Sequence, residues 1–184
     1  MRMRKTTAAL AFGMILAGGG AAAQNSANDW YTVAMAAARN QTEQVRTMLA
    51  QGGNDPDAID SQSGRTALDF AASFDNTEIA KLLLDHGAHI DARDRQGNTA
   101  LHWAAERGSI AMVRFLIANK AAVDAANRQG ITPIMLAADH LQPASVRALI
   151  EQGADPRKQD YSGRDAYGWA AGKPAVLKVL DAKR

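Results

Sequence analysis

The chain has 184 residues, 47% hydrophobic and 22% charged, an ordinary globular composition for one domain or two small ones. It holds no cysteine, which excludes a disulfide scaffold, a cysteine-ligated metal and a cysteine nucleophile. The net charge is +2, but the first 23 residues hold Arg2, Arg4 and Lys5 and no acid; the remainder has 18 basic and 19 acidic residues, a balance that gives nucleic-acid binding no electrostatic footing.

The chain starts with three positive charges in residues 1–5. An apolar run from Ala8 to Ala17 follows, then three glycines and Ala21-Ala22-Ala23. A charged head, a short apolar core and an A-x-A end are the parts of a secretory signal peptide. The run is shorter than the ~20 residues a spanning helix needs. No cysteine follows it to carry a lipid, and no Arg-Arg pair marks twin-arginine export. The expectation is a signal over residues 1–23, cleaved near Ala23, and a mature chain over 24–184 in the periplasm or outside the cell. No second run of ~18 apolar residues occurs, so no membrane insertion is expected after cleavage.

The rest repeats. Gly64, Gly97, Gly130 and Gly163 are 33 residues apart, and Thr66, Thr99, Thr132 and Asp165 follow in step. The pairs Ala71-Ala72, Ala104-Ala105, Ala137-Ala138 and Ala170-Ala171 come next. Apolar runs at Leu82–Leu84, Phe115–Ile117 and Ala148–Ile150 close each copy. An earlier copy shows in Ala36-Ala37, Val45, Met48-Leu49 and Gly52-Gly53. Its junction is two residues longer, an insertion placed within Asn54–Asp57. Within a copy, Thr99 to Glu106 reads as a short helix, and Gly108 interrupts it. Ile110 to Ala118 reads as a second helix with one broad apolar face. Asp94–Gly97 and Asn127–Gly130 read as turns. One helix pair cannot bury its own apolar face, whereas a stack of about three or more can. Trp30 and Tyr31 are expected to cover the first end, and Trp169, Val176, Leu177 and Leu180 the other. The last copy is expected to have a shortened second helix.

The segment Gly97-Asn98-Thr99-Ala100-Leu101-His102-Trp103-Ala104-Ala105 resembles the ankyrin repeat, with its T-P-L-H-x-A signature at a 33-residue period. The resemblance covers about residues 30–184. It departs at Asp69 and Met135, which stand where the family prefers His, and in the last copy. It implies an all-α solenoid of stacked helix–turn–helix units with β-turn or hairpin tips and about five repeats, the outer ones degenerate caps. The copies fall at about 30–60, 61–93, 94–126, 127–159 and 160–184. It assigns Thr66, Thr99, His102 and Thr132 to the structural motif, His102 bonding the turn backbone. It also implies a non-catalytic protein-interaction module that meets its partner with the tips and the concave first-helix face.

Carried over by register, that surface holds Arg65, Phe74, Arg95, Gln96, Asn98, Arg107, Arg128, Gln129, His140, Tyr161 and Arg164. Arg65, Arg95, Arg128 and Arg164 are expected to form one ladder flanked by Phe74 and Tyr161. Arginine and aromatic residues dominate binding hot spots, and arginine matches carboxylates bidentately. The expected partner is therefore a protein with an acidic or polar patch, bound by a monomer; no cofactor, metal or nucleic acid is expected. An inhibitor or immunity protein that neutralises a toxin is the alternative. His140 beside Asp139 could be half of a hydrolase site, but no serine or second acid is placed to complete it, so no catalytic residue is assigned. The acidic loop Asn54, Asp55, Asp57 and Asp60 lacks the glycine and terminal glutamate of a calcium loop.

Overall fold

A computed structural model describes residues 32–182. The expected signal at 1–23 and the end cover at Trp30 and Tyr31 lie outside the described residues. The described residues belong to one compact unit. Its described part is helical throughout, in five helix pairs: α1 (Val33–Ala38) and α2 (Thr42–Ala50), α3 (Ala67–Ser73) and α4 (Thr77–Asp85), α5 (Ala100–Arg107) and α6 (Ile110–Ala118), α7 (Pro133–Asp139) and α8 (Pro143–Glu151), α9 (Ala166–Trp169) and α10 (Pro174–Asp181).

The first helices form one layer, α1 on α3, α3 on α5, α5 on α7 and α7 on α9. The second helices form the other, α2 through α10 in order. The alanine pairs allow the close approach within the first layer. Ala36, Ala37, Ala71, Ala72, Ala104, Ala105, Ala137 and Ala138 are all fully buried. Beside them Leu68, Leu101 and Ile134 fill one column at 33-residue spacing. In the second layer Ile79, Leu83, Met112, Leu116, Val146 and Leu149 are buried to the last atom. Each such side chain contributes about 1.5–3 kcal/mol relative to exposure. Trp169 and Leu177 are half-buried and Val176 and Leu180 buried at the far end, as the sequence predicts.

Helix starts follow the threonine register. Thr66 caps α3, its hydroxyl accepting from Asp69 N at 3.1 Å. In the last copy Asp165 takes over, its carboxylate accepting from Gly168 N at 2.9 Å, and aspartate is an equally good cap. The helix ends are less uniform. Gly108 is left-handed (φ 79), as expected for a helix-ending glycine, but Asn40, Asp75 and Leu141 turn the chain in the same way at φ 55–56 without one.

Two expectations need correction. The two extra residues of the first junction do not sit together. One lies at Gly53-Asn54. In later copies the backbone N–H of Ala88, Ala121 and Ala154 bonds the carbonyl of Leu83, Leu116 and Leu149. In the first copy the Asn54 side-chain amide reaches the matching Met48 carbonyl instead, at 2.7 Å. The other lies in the tip: five positions separate Asp60 from Arg65, paired N to O at 2.8 Å, against four from Asp94 to Asn98 at 2.9 Å. Secondly, the shortening in the last copy falls chiefly on its first helix. α9 has 4 residues against 8 in α5, and α10 keeps 8.

Candidate partner-binding surface

Between successive pairs the chain turns out into a tip closed by two backbone bonds. In the third copy Asp94 N donates to Asn98 O and Gly97 N to Asp94 O, both at 2.9 Å. The Asp94 carboxylate accepts from Gln96 N and Asn98 N at 2.8 Å each. Asn127 and Asp160 do the same in the next two tips. Burial works to raise the Asp160 carboxyl, but bonds from Ser162, Arg164 and Trp169 outweigh it and hold the group at about 2.

The tips are tied to one another. Arg95 N donates to Gly64 O at 2.9 Å, Arg128 N to Gln96 O at 3.1 Å and Tyr161 N to Gln129 O at 3.0 Å. The tip glycines permit this approach. A Cβ on Gly97 (φ 83) would stand 2.9 Å from Arg128 N. The result is a row of exposed tip residues, Arg95 and Gln96, then Arg128 and Gln129, then Tyr161, the last 80% exposed.

The four arginines are not one ladder. Arg95 and Arg128 stand two residues before their glycines, and Arg65 and Arg164 one residue after theirs. The first pair shares its column with Tyr161, the second with Asn98 and the buried Ile131. The outcomes differ physically. The Arg65 guanidinium is 3.7 Å from the centre of the Trp103 ring and 4.5 Å from that of Phe70. It donates to Asp69 O at 2.8 Å and to the Ser73 hydroxyl, and burial pushes its pKa down. Arg164 lies 3.9 Å over Trp169, and its Nε bonds Ser162 Oγ at 3.0 Å. Arg65 thus clamps two copies together from a half-buried position, whereas Arg95 and Arg128 are exposed, Arg95 donating one Nη to Ser61 O of the preceding tip at 3.2 Å.

The remaining candidates divide in the same way. Phe74 is 50% exposed at the end of α3, and Arg107 is exposed at the end of α5. Asn98 is spent internally, on Asp94 Oδ2 at 3.3 Å and on Asn127 Nδ2 at 2.8 Å. His140 bonds Leu136 O at 3.1 Å and lies 3.7 Å from Glu106, while its neighbour Asp139 binds Lys173 at 2.7 Å. The His140–Asp139 half-site therefore does not assemble. The acids of the first loop are likewise engaged, Asp55 and Asp60 in turns with Asp57 N at 2.9 Å and Ser63 N at 2.7 Å, and Asp57 on His89 N of the next copy at 3.0 Å.

His102 serves the motif from both ring nitrogens. Nδ1 accepts from Thr99 N at 3.1 Å, and Nε2 donates to Ile131 O of the following copy at 3.0 Å. Burial drives its pKa down to about 4, so the ring is neutral. The family profile described as ankyrin repeats (3 copies) matches residues 8–94 and 90–160, well over half of the chain.

The chain belongs to the ankyrin-repeat family.

No curated protein matches it. Ankyrin repeats mediate protein–protein interaction, so the tips and first-helix ends of this ankyrin stack are the surface to consider. Sequence reasoning gave Trp103 no role and Trp169 only that of an end cover; the structure shows that they fix Arg65 and Arg164. The signal was present: Phe70, Trp103, Leu136 and Trp169 repeat at 33 residues, six after each tip glycine. Each indole N–H also locks a tip, Trp103 on Asp94 at 3.1 Å and Trp169 on Asp160 at 3.0 Å.

Proposed function

We propose that this ankyrin protein is a non-catalytic binding module of the bacterial envelope. Residues 1–23 direct its export, and the mature monomer holds a partner protein by its tips and first-helix ends. The observation that carries the reading is the pair Arg95 and Arg128. Both residues are exposed, and both backbones are pinned to the preceding tip by the N–H bonds at 2.9 and 3.1 Å; the Arg95 side chain is further steadied by one bond to Ser61 O at 3.2 Å. A pinned tip loses little conformational entropy on association. Two forks one repeat apart suit carboxylates on the surface of the partner.

The test is a cross-linking capture in the native periplasm with the wild-type chain and with Arg95→Glu/Arg128→Glu. The expected outcome is one dominant protein, held by the wild type and lost by the variant, with equal melting curves. The captured chain should have a mass that begins at Gln24. A toxin as the captured protein would select the inhibitor role. Capture that survives the double substitution removes the tips from the reading.

A further inference from the structure

The tip row ends differently from how it begins. Gly64 O, Gln96 O and Gln129 O each accept an N–H from the next tip. The carbonyl of Ser162, one repeat after Gln129, accepts none among the described residues. The glycines agree. A Cβ on Gly64, Gly97 or Gly130 would run into the following tip at 2.6–2.9 Å, whereas one on Gly163 would meet nothing within 4 Å. Beside this open end lies a cleft of about 440 Å³, lined by Arg128, Ile131, Tyr161, Ser162, Arg164 and Trp169 among others.

Its chemistry is two-sided. The guanidinium of Arg128 has no protein acceptor among the described residues. Arg164 uses its plane on Trp169 and its Nε on Ser162 and Asp160, which leaves its two Nη groups. The oxygens of Asp160 are filled by the Ser162, Arg164 and Trp169 donors. Tyr161, 80% exposed, and the half-buried Trp169 supply carbon surface. Two unspent guanidinium edges call for a carboxylate. The aromatic walls call for an apolar side chain next to it, and a free phosphate would leave those walls bare. The idle Ser162 carbonyl calls for a backbone N–H, which an extended peptide has.

We propose that the cleft and the open end of the tip row bind an extended segment of a protein partner that carries a carboxylate beside an apolar side chain. This rests on the interaction-module reading and adds the partner's chemistry and the anchor point. The first tip of a second copy fits less well, because it would bring the like-charged Arg65 toward Arg164, and its one carboxylate, Asp60, is buried and spent on Ser63.

The test uses the protein as its host produces it, labelled with 15N, and two capped peptides, Ala-Glu-Phe-Ala and Ala-Gln-Phe-Ala. The Glu peptide is expected to shift the Trp169 indole and the Ser162 and Gly163 amides saturably, and to leave the Trp103 indole still. Arg128→Gln is expected to weaken this binding about tenfold, with an unchanged melt. Equal shifts from the Gln peptide, or unchanged affinity in Arg128→Gln, would overturn the proposal. Equal shifts from glutarate or inorganic phosphate would reduce the cleft to a small-anion site. Shifts that follow protein concentration alone would assign it to a second copy, and each of these overturns the proposal too. A partner captured through Arg95 that leaves Trp169 unmoved would sink this inference and spare the broader reading. Peptide binding without any captured protein would do the reverse.

Discussion

Asp69 and His102 occupy the same place in successive copies, and burial acts on them in opposite directions. Each carries the bond to its own helix cap, Asp69 from Thr66 N at 2.8 Å and His102 from Thr99 N at 3.1 Å. His102 has a second nitrogen that reaches the next copy; the shorter Asp69 leaves Oδ1 buried without a partner. Burial raises Asp69 to about 7 and lowers His102 to about 4. The folded chain therefore holds a proton on Asp69 that the unfolded chain releases near 3.8. That term favours folding below 3.8 and is lost as pH rises through about 7. His102 works the other way: the unfolded chain takes up a proton near 6.5 that the folded chain refuses until about 4, so stability is lost as pH falls through that window. Between them the two slopes oppose. Asp69→Asn should remove one slope and keep the cap bond. The expected outcome is a Tm difference, variant minus wild type, that grows as pH rises from about 4 to about 7. Melts across that range check it, and a flat difference would show that Asp69 ionises normally in the fold.

At the scale of the element, the sequence declares the repeat and hides its irregularities. The glycine and threonine columns, the alanine pairs and the second-helix runs place the helices of the central copies, because packing at period 33 constrains every one of those positions. Loop insertions escape this constraint. The extra residues near Asn54 and in the Asp60–Arg65 tip interrupt no apolar face, so the pattern counts both and points toward the first, but does not locate the second. The arginines mislead for a related reason: Arg65 and Arg95 share a residue type but not a register, and only the fold shows that Trp103 covers the first. Asn54 gives the element-scale prediction. Its amide replaces a backbone bond to Met48 O at the end of α2. Asn54→Ala should leave that carbonyl unpaired and cost about 1 kcal/mol. Hydrogen exchange should quicken first in α1 and α2, with α5 to α8 protected as before.

For the whole molecule the decisive property is that the described copies pack chiefly on their neighbours, α3 on α5 and α5 on α7 in one layer, α4 on α6 and α6 on α8 in the other. Stability is then the sum of weak single-copy terms and strong interface terms, and the stack melts together only if the interfaces dominate. Leu101 tests this best. It is 1% exposed in α5, the middle first helix, which packs on α3 and on α7. Leu101→Asp buries an unpaired carboxylate there and removes the leucine packing, each worth several kcal/mol against a total of about 5–15. Because α5 supports both sides, the loss is shared by both interfaces. The expected outcome is a single lowered transition, or no folded state at all, seen alike by circular dichroism and by exchange at α1 and at α10. Two transitions, with either half keeping its wild-type melt, would mean that the halves fold independently and that the clamp of Arg65 on Trp103 adds little to the coupling.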